Sequence, residues 1–510
     1  MNLKKNLCKF RTELLISLFY LLIHIPKLVN LPVFADEAIY IRWSQLIIDD
    51  PKQYLFFALN DGKTPLFIWL LTPLQFIFSD QLFAGRFLSV LVGLVQIWVL
   101  KVLVKTYGGK KPAQYFAMAA GSLLPFWYFH QRMALMDGLL ALLLSLSLLF
   151  TTKNVVYGKR KGTKNNFILN ISMAGLFAGL ALLVKLPAIL FLPALFTPLI
   201  LTFKHEKQTH LLKNILSISC SVLVSLLIFA CLKLHPAFGQ LFNRGGDFLF
   251  TIREFLFEKQ WQHSLQQLPT YGTFFLRYLT VPVVFLSFLG LFSKKRLEVI
   301  SLHFNWLLFS LPIILLGKVV YPRYFMPIAI GVTVAASLSV EQFINKNSLG
   351  RIITTILLLL SLGCSSKFIY HQLTNVESTP FVNIDKTQYL TSWSAGYGIK
   401  ESVAIINQLS KNKKTLVLTE GYFGSLPDGL LMYYHRRPVD NIYITGIGQP
   451  IHQIPQNIID SNQSHDQVLL IVNSNRLKMD LKESPLIFAA CRPDNSPCHQ
   501  IWDITSLFHN

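Results

Sequence analysis

Two adjacent acids, Asp36 and Glu37, stand in the segment FADEAIYIRW at 34–43, just beyond a long apolar run. A carboxylate there can take a proton from an acceptor hydroxyl or amine, or hold a divalent cation. The plainer reading is that both acids cap a helix N-terminus, where negative charge is favoured. Asp137, in HQRMALMDGLLALLL at 130–144, offers the same chemistry. Its ionised form needs a partner. Arg132 is one candidate, which would make the pair structural. The other reading turns Asp137 to a cavity shared with Asp36, and the two acids are then the candidate metal ligands.

Basic residues flank the apolar stretches in a second pattern. Lys63 precedes Pro65 in DGKTPLFIWL, and Arg86 opens the next apolar run. Lys185 sits in GLALLVKLPAIL, and Arg323 lies among tyrosines in KVVYPRYFMPI. With Arg132, these are the candidate phosphate contacts. Lysine is a compact point charge, and arginine can grip a phosphate in a bidentate way. Snorkelling to lipid headgroups is the competing reading. Arg244, Asp247, Arg253 and Glu254 in the stretch 233–270 form no diagnostic spacing. The chain has no CxxC pair, no zinc-spaced His/Cys set and no GxSxG nucleophile motif.

These residues need elements to hold them, and composition says of what kind. The chain has 510 residues, of which 52% are hydrophobic and only 14% charged. Soluble domains are about a quarter charged, so the deficit argues against a soluble multi-domain enzyme. Apolar stretches near 13–31, 86–104, 113–130, 135–151, 167–185, 187–203, 212–232, 272–292, 302–317, 324–341 and 351–369 predict about 11 transmembrane helices. The stretch 64–79 is apolar but short and holds two prolines, which suits an interfacial or broken helix.

A net charge of +21 invites a nucleic-acid reading until the charges are located. Lys4, Lys5, Lys9 and Arg11 precede the first span. Lys101, Lys105, Lys110 and Lys111 follow the second, and Lys153, Lys159, Arg160, Lys161 and Lys164 follow the fourth. Lys204, Lys207 and Lys213, then Lys294, Lys295 and Arg296, then Lys346 and Arg351 complete the series. All fall on one side if 64–79 does not cross, and that side is the cytoplasm by the positive-inside rule. The charge therefore reports orientation, and no nucleic-acid partner is expected. The N-terminus is expected in the cytoplasm, and the setting is expected to be a bacterial plasma membrane.

The stretches 32–85, 233–270 and everything after 370 then lie outside. Residues 1–370 form a transmembrane domain and 371–510 a small α/β domain. In the latter, TLVLT (415–419), NIYIT (441–445) and QVLLIV (467–472) read as strands. IKESVAIINQLS (399–410) and LPDGLLMYY (426–434) read as helices. No glycine-rich phosphate loop joins strand to helix, and GYGIK and TGIGQP read as turns. Cys491 and Cys498 could bond if this region is outside the cytosol.

Taken in order, the motifs resemble those of the GT-C type integral-membrane glycosyltransferases. The resemblance is nearest to the family of protein O-mannosyltransferases and lipid A aminoarabinose transferases. It covers about residues 10–370 and rests on Asp36-Glu37, Lys63-Thr64-Pro65-Leu66, Arg86, Arg132 to Asp137, the Lys185–Pro187 segment and the Arg323–Pro327 segment. Thr64 departs from a proline common there. The resemblance implies a polyprenyl-phosphate-linked sugar donor and transfer, usually with inversion, to a lipid, glycan or protein acceptor outside the cytoplasm. It implies Asp36 as the base, with Glu37 and Asp137 orienting the acceptor or a divalent metal. Lys63, Arg86, Arg132, Lys185 and Arg323 would meet the lipid phosphate. A flippase of lipid-linked glycans and a non-catalytic scaffold are the alternatives. The first would favour internal repeats, which are not evident, and the second would not need these acids and cations.

Overall fold

A computed structural model describes residues 11–157, 164–204, 208–435 and 440–509. Cys8 and the basic residues Lys4, Lys5, Lys9, Lys159, Arg160, Lys161 and Lys207 lie outside the described residues. The chain divides into two compact units. The first comprises 1–26, 55–67 and 87–374; the second comprises 27–54, 68–86 and 375–510.

Apolar helices make up the first unit. Among the described residues, eight helices are long and apolar enough to cross a membrane, or nine if one bent pair counts as a span. They make the chain an integral membrane protein. Two stretches expected to cross as single helices are shorter, for a visible reason. The 113–130 stretch breaks at Leu124, whose ψ of 134° is extended, between helices Lys111–Leu123 and Pro125–His130. A residue before proline is pushed out of the helical region, and Leu124 precedes Pro125. Within 13–31, the described helix Arg11–His24 stops just before Pro26.

The 272–292 stretch also differs from a straight span. Trp261–Tyr278 and Val281–Phe292 meet at a 96° bend. Thr280 sits there at φ 63°, ahead of Pro282, which cannot donate a backbone hydrogen bond. The Thr280 hydroxyl is buried and hydrogen-bonded to Ser361 Oγ at 2.9 Å. The 64–79 stretch holds the short helix Leu66–Phe76, too short to span.

A mixed sheet organises the second unit. The strands of this unit among the described residues are β1 (Val33–Phe34), β2 (Ala395–Gly396), β3 (Thr415–Thr419), β4 (Ile442–Gly446), β5 (Gln467–Asn473), β6 (Leu486–Arg492) and β7 (Ser496–Asp503). β1 and β2 form a small antiparallel pair, and the main sheet runs β4-β3-β5-β7-β6. β3 lies parallel to both β4 and β5, whereas β7 is antiparallel to β5 and β6. Side chains alternate across a strand, so β3 and β5 serve two cores. Val417, Leu469 and Ile471 face a core with Ala38, Ile41 and Leu82. Leu416, Leu418, Val468 and Leu470 face another with Ile451, Ile504 and Phe508. The helix Ala35–Asp49, which carries Asp36 and Glu37, is thus seated on one face of the sheet.

Candidate functional site

The two adjacent acids have different surroundings. Neighbours on a helix point about 100° apart, so one can be buried while the next is not. Glu37 is fully buried, and Asp36 is intermediate in exposure. Glu37 reaches back to accept the Phe34 backbone N–H at 3.0 Å, satisfying a donor at the helix start. It also pairs with Arg86, through Nε to Oε1 at 2.9 Å and Nη2 to Oε2 at 2.7 Å.

Arg86 spends its remaining donors on backbone carbonyls. Nη1 donates to Leu28 and Leu31 at 2.9 and 2.8 Å, and Nη2 to Pro32 at 3.0 Å. A guanidinium has five N–H groups, and these bonds occupy them all. Arg86, only 1% exposed, therefore holds the loop ahead of Asp36 in place.

A second clamp acts on the same segment. β1 pairs with β2 through Phe34 and Ala395, and the Ala35 N–H donates to the Ser394 carbonyl at 3.0 Å. The buried Arg492 donates to the Ala395 carbonyl from Nε and Nη2, at 3.0 and 2.9 Å. Burial pulls its guanidinium down to about 10. Arg492 belongs to the β6–β7 hairpin, which the Cys491–Cys498 disulfide closes. Sequence reasoning missed Arg492, because its acceptor is a carbonyl almost a hundred residues away and no motif marks such a contact.

In the first unit the charges gather around tyrosine. Asp137 is buried at the start of the helix Met136–Tyr157 and pairs with Lys185 at 2.7 Å. Its partner is thus Lys185 and not Arg132. The Lys185 ammonium also lies 4.4 Å from the Tyr324 ring centre. Arg323, 6% exposed, stacks near Tyr321 and Tyr324 at 4.9 and 5.7 Å. Aromatic faces attract cations through the ring quadrupole, which helps hold both groups in the membrane-spanning unit. His130, also buried, hydrogen-bonds through Nδ1 to the Phe126 carbonyl at 2.8 Å.

Arg132 has a different placement. Its Nη1 donates to the carbonyls of Ile23, His24 and Pro26, at 3.2, 2.7 and 3.1 Å, so it caps the end of the first helix. Lys63 pairs with Asp61, which also receives Arg244 Nη1 at 2.5 Å. Asp61 is the acid that sequence reasoning passed over in this segment. No group of three or more His, Cys, Asp or Glu side chains gathers in metal-binding fashion among the described residues.

The comparisons bear on this arrangement. Residues 62–233 match the family described as dolichyl-phosphate-mannose-protein mannosyltransferase. No curated protein sequence matches the chain. Among solved structures, apo ArnT from Cupriavidus metallidurans is similar at a TM-score of 0.62 and 13% identity, covering 97% of this chain and 98% of that one. The same protein bound to undecaprenyl phosphate gives a TM-score of 0.61 at 12% identity, over 97% and 98% of the two chains. The oligosaccharyltransferase AglB from Archaeoglobus fulgidus, with an inhibitory peptide and a dolichol-phosphate, gives 0.53 at 12% identity, over 92% and 70%. The chain shares the fold of the ArnT and AglB structures.

Proposed function

We propose that the chain is a membrane glycosyltransferase that moves a sugar from a polyprenyl-phosphate donor to an acceptor outside the cytoplasm. The observation that carries the reading is the grouping of Lys185 and Arg323 about Tyr324 in the membrane-spanning unit. Charged groups near hydrocarbon are costly and tend to be functional. Two cations grouped there suit a lipid-linked phosphate as ligand. The relatives solved with undecaprenyl phosphate and dolichol-phosphate support the same donor class.

In this reading the acceptor hydroxyl or amine attacks the anomeric carbon opposite the phosphate. Asp36 takes the acceptor's proton, and the glycosidic electron pair leaves with the polyprenyl phosphate. Lys185, Arg323 and Lys63 stabilise the charge that develops on that phosphate. Asp137 holds Lys185 in place until the donor arrives. Glu37, Arg86 and Arg132 act as positioning residues, because their polar groups are engaged with the protein. A divalent cation, where one is used, would fall to Asp36 or Asp137.

The six basic clusters favour a cytoplasmic N-terminus in a bacterial plasma membrane. The Cys491–Cys498 bond suits an oxidising compartment for the C-terminal region. The test is a transfer assay in membranes supplied with a panel of polyprenyl-phosphate sugars, with and without chelator. Asp36→Asn should lose at least about 100-fold in kcat, the scale of a general base. Unchanged activity in that variant would remove Asp36 from the base role, and a parent that moves the lipid without transferring sugar would make it a flippase.

A further inference from the structure

We infer that the second unit carries a saccharide-binding site at the carboxyl ends of β3, β4 and β5, which takes a pyranose ring of the acceptor. The assignment of that ring to the acceptor rests on the transferase reading, whereas the site itself does not. β3 lies between β4 and β5 and is parallel to both. The chain therefore leaves β3 and β5 in opposite directions, and such a switch point opens a crevice beyond the strand ends.

The residues there form a built polar floor. Glu420, only 1% exposed, follows β3 and accepts the Asn473 backbone N–H at 2.9 Å. It also receives Arg476 Nη1 at 3.0 Å, which fixes the guanidinium. Nε and Nη2 of Arg476 make no hydrogen bond among the described residues. Asn473 Oδ1 and Thr419 Oγ1 are buried without a hydrogen-bond partner among the described residues. Unspent donors and acceptors thus lie just behind these strand ends, and native interiors rarely leave such groups idle.

Aromatic residues border this floor. The Arg476 guanidinium lies 4.2 Å from the centre of the Trp393 ring. A Cβ on Gly424 would fall 3.6 Å from Trp393, and one on Gly448 would fall 3.3 Å from the Tyr422 hydroxyl. The loop 421–424 therefore joins the two aromatics to the crevice. Tyr422 is 73% exposed and Phe423 58%. A bilayer anchor would account for the exposed rings. It would not account for a buried carboxylate, an oriented guanidinium and orphan acceptors behind them. A sugar ring matches both, since its C–H face lies on an aromatic ring while its hydroxyls seek hydrogen bonds.

Saturation-transfer NMR on the full chain in phosphatidylethanolamine–phosphatidylglycerol nanodiscs tests this without any donor. The probes are methyl glycosides of glucose, mannose, galactose and N-acetylglucosamine. At least one should bind the parent, and Tyr422→Ala and Trp393→Leu should each weaken it tenfold or more. Tyr422 is exposed, so its variant should keep the parent's melting temperature and guard against a folding artefact. Binding of no glycoside, or equal binding by parent and both variants, overturns the proposal. So does quenching of a Tyr422→Trp reporter by brominated lipid with no response to glycoside. Failure of the transferase reading looks different: no sugar transfer by the parent, with the Tyr422-dependent glycoside signal intact.

Discussion

Arg492 and Ala395 are joined by two hydrogen bonds converging on one carbonyl, at 3.0 and 2.9 Å. Ala395 pairs with Phe34, two residues before Asp36, so the bonds brace the segment that presents the proposed base. Arg492→Lys should keep the charge and lose the fork. We expect kcat for transfer to fall about tenfold, which is about 1.4 kcal/mol, with little change in donor KM. A KM-dominated effect would show that the clamp acts on binding instead.

The Glu37–Arg86 pair makes a stability prediction. Removing one partner of a buried ion pair strands the other, at a cost of about 3–5 kcal/mol. Arg86→Met and Glu37→Met should each lower the melting temperature sharply. The double variant should recover part of the loss, because no unpaired charge is left. The carbonyls of Leu28, Leu31 and Pro32 lose their donor in any Arg86 variant, so recovery should be incomplete.

Asp137 and Lys185 can be separated by kinetics. Lys185→Gln removes a cation from the proposed phosphate site and should raise donor KM about tenfold, or about 1.4 kcal/mol. Asp137→Asn removes only the competing anion and should leave donor affinity equal or stronger. A kcat loss in Asp137→Asn as large as that of Asp36→Asn would instead make Asp137 a second reacting acid.

Asp428 gives a pH signature. Burial raises its carboxyl from 3.8 to about 6, against the opposing pull of the Gly424 N–H and Arg42. Between those values the folded chain keeps a proton that the unfolded chain has lost. Stability from this group therefore falls as pH rises from 3.8 to about 6. Asp428→Asn should remove that slope and be the more stable form at pH 7, by at most about 3 kcal/mol. Melting temperatures at pH 4 and 7 check the sign. The Gly424 N–H, now 2.7 Å from Asp428 Oδ2, can still meet the asparagine oxygen.

Much of this architecture is legible in residue pattern. The run TLVLT is β3 at Thr415–Thr419, and the predicted strands at 441–445 and 467–472 match β4 and β5 within a residue. Apolar length reveals the spanning helices, because hydrocarbon thickness sets that length. What pattern does not reveal is how a polar group is used. Asp36 and Glu37 look alike in sequence, yet only Glu37 is consumed by Arg86. Asp137 takes Lys185, 48 positions away, over Arg132, five away. β1 and β2 are two residues each, below any periodic signal.

The bend at Thr280 has a consequence for biogenesis. Its hydroxyl meets Ser361, which is 81 residues downstream in the helix Ser348–Thr374. A ribosome has not yet made Ser361 when the broken span reaches the insertion machinery. Until then the polar lining of the bend needs water or another temporary partner, since hydrocarbon offers none. The helix Ser348–Thr374 is thus a late keystone, and truncation before it should leave the upstream bend open to quality-control proteolysis.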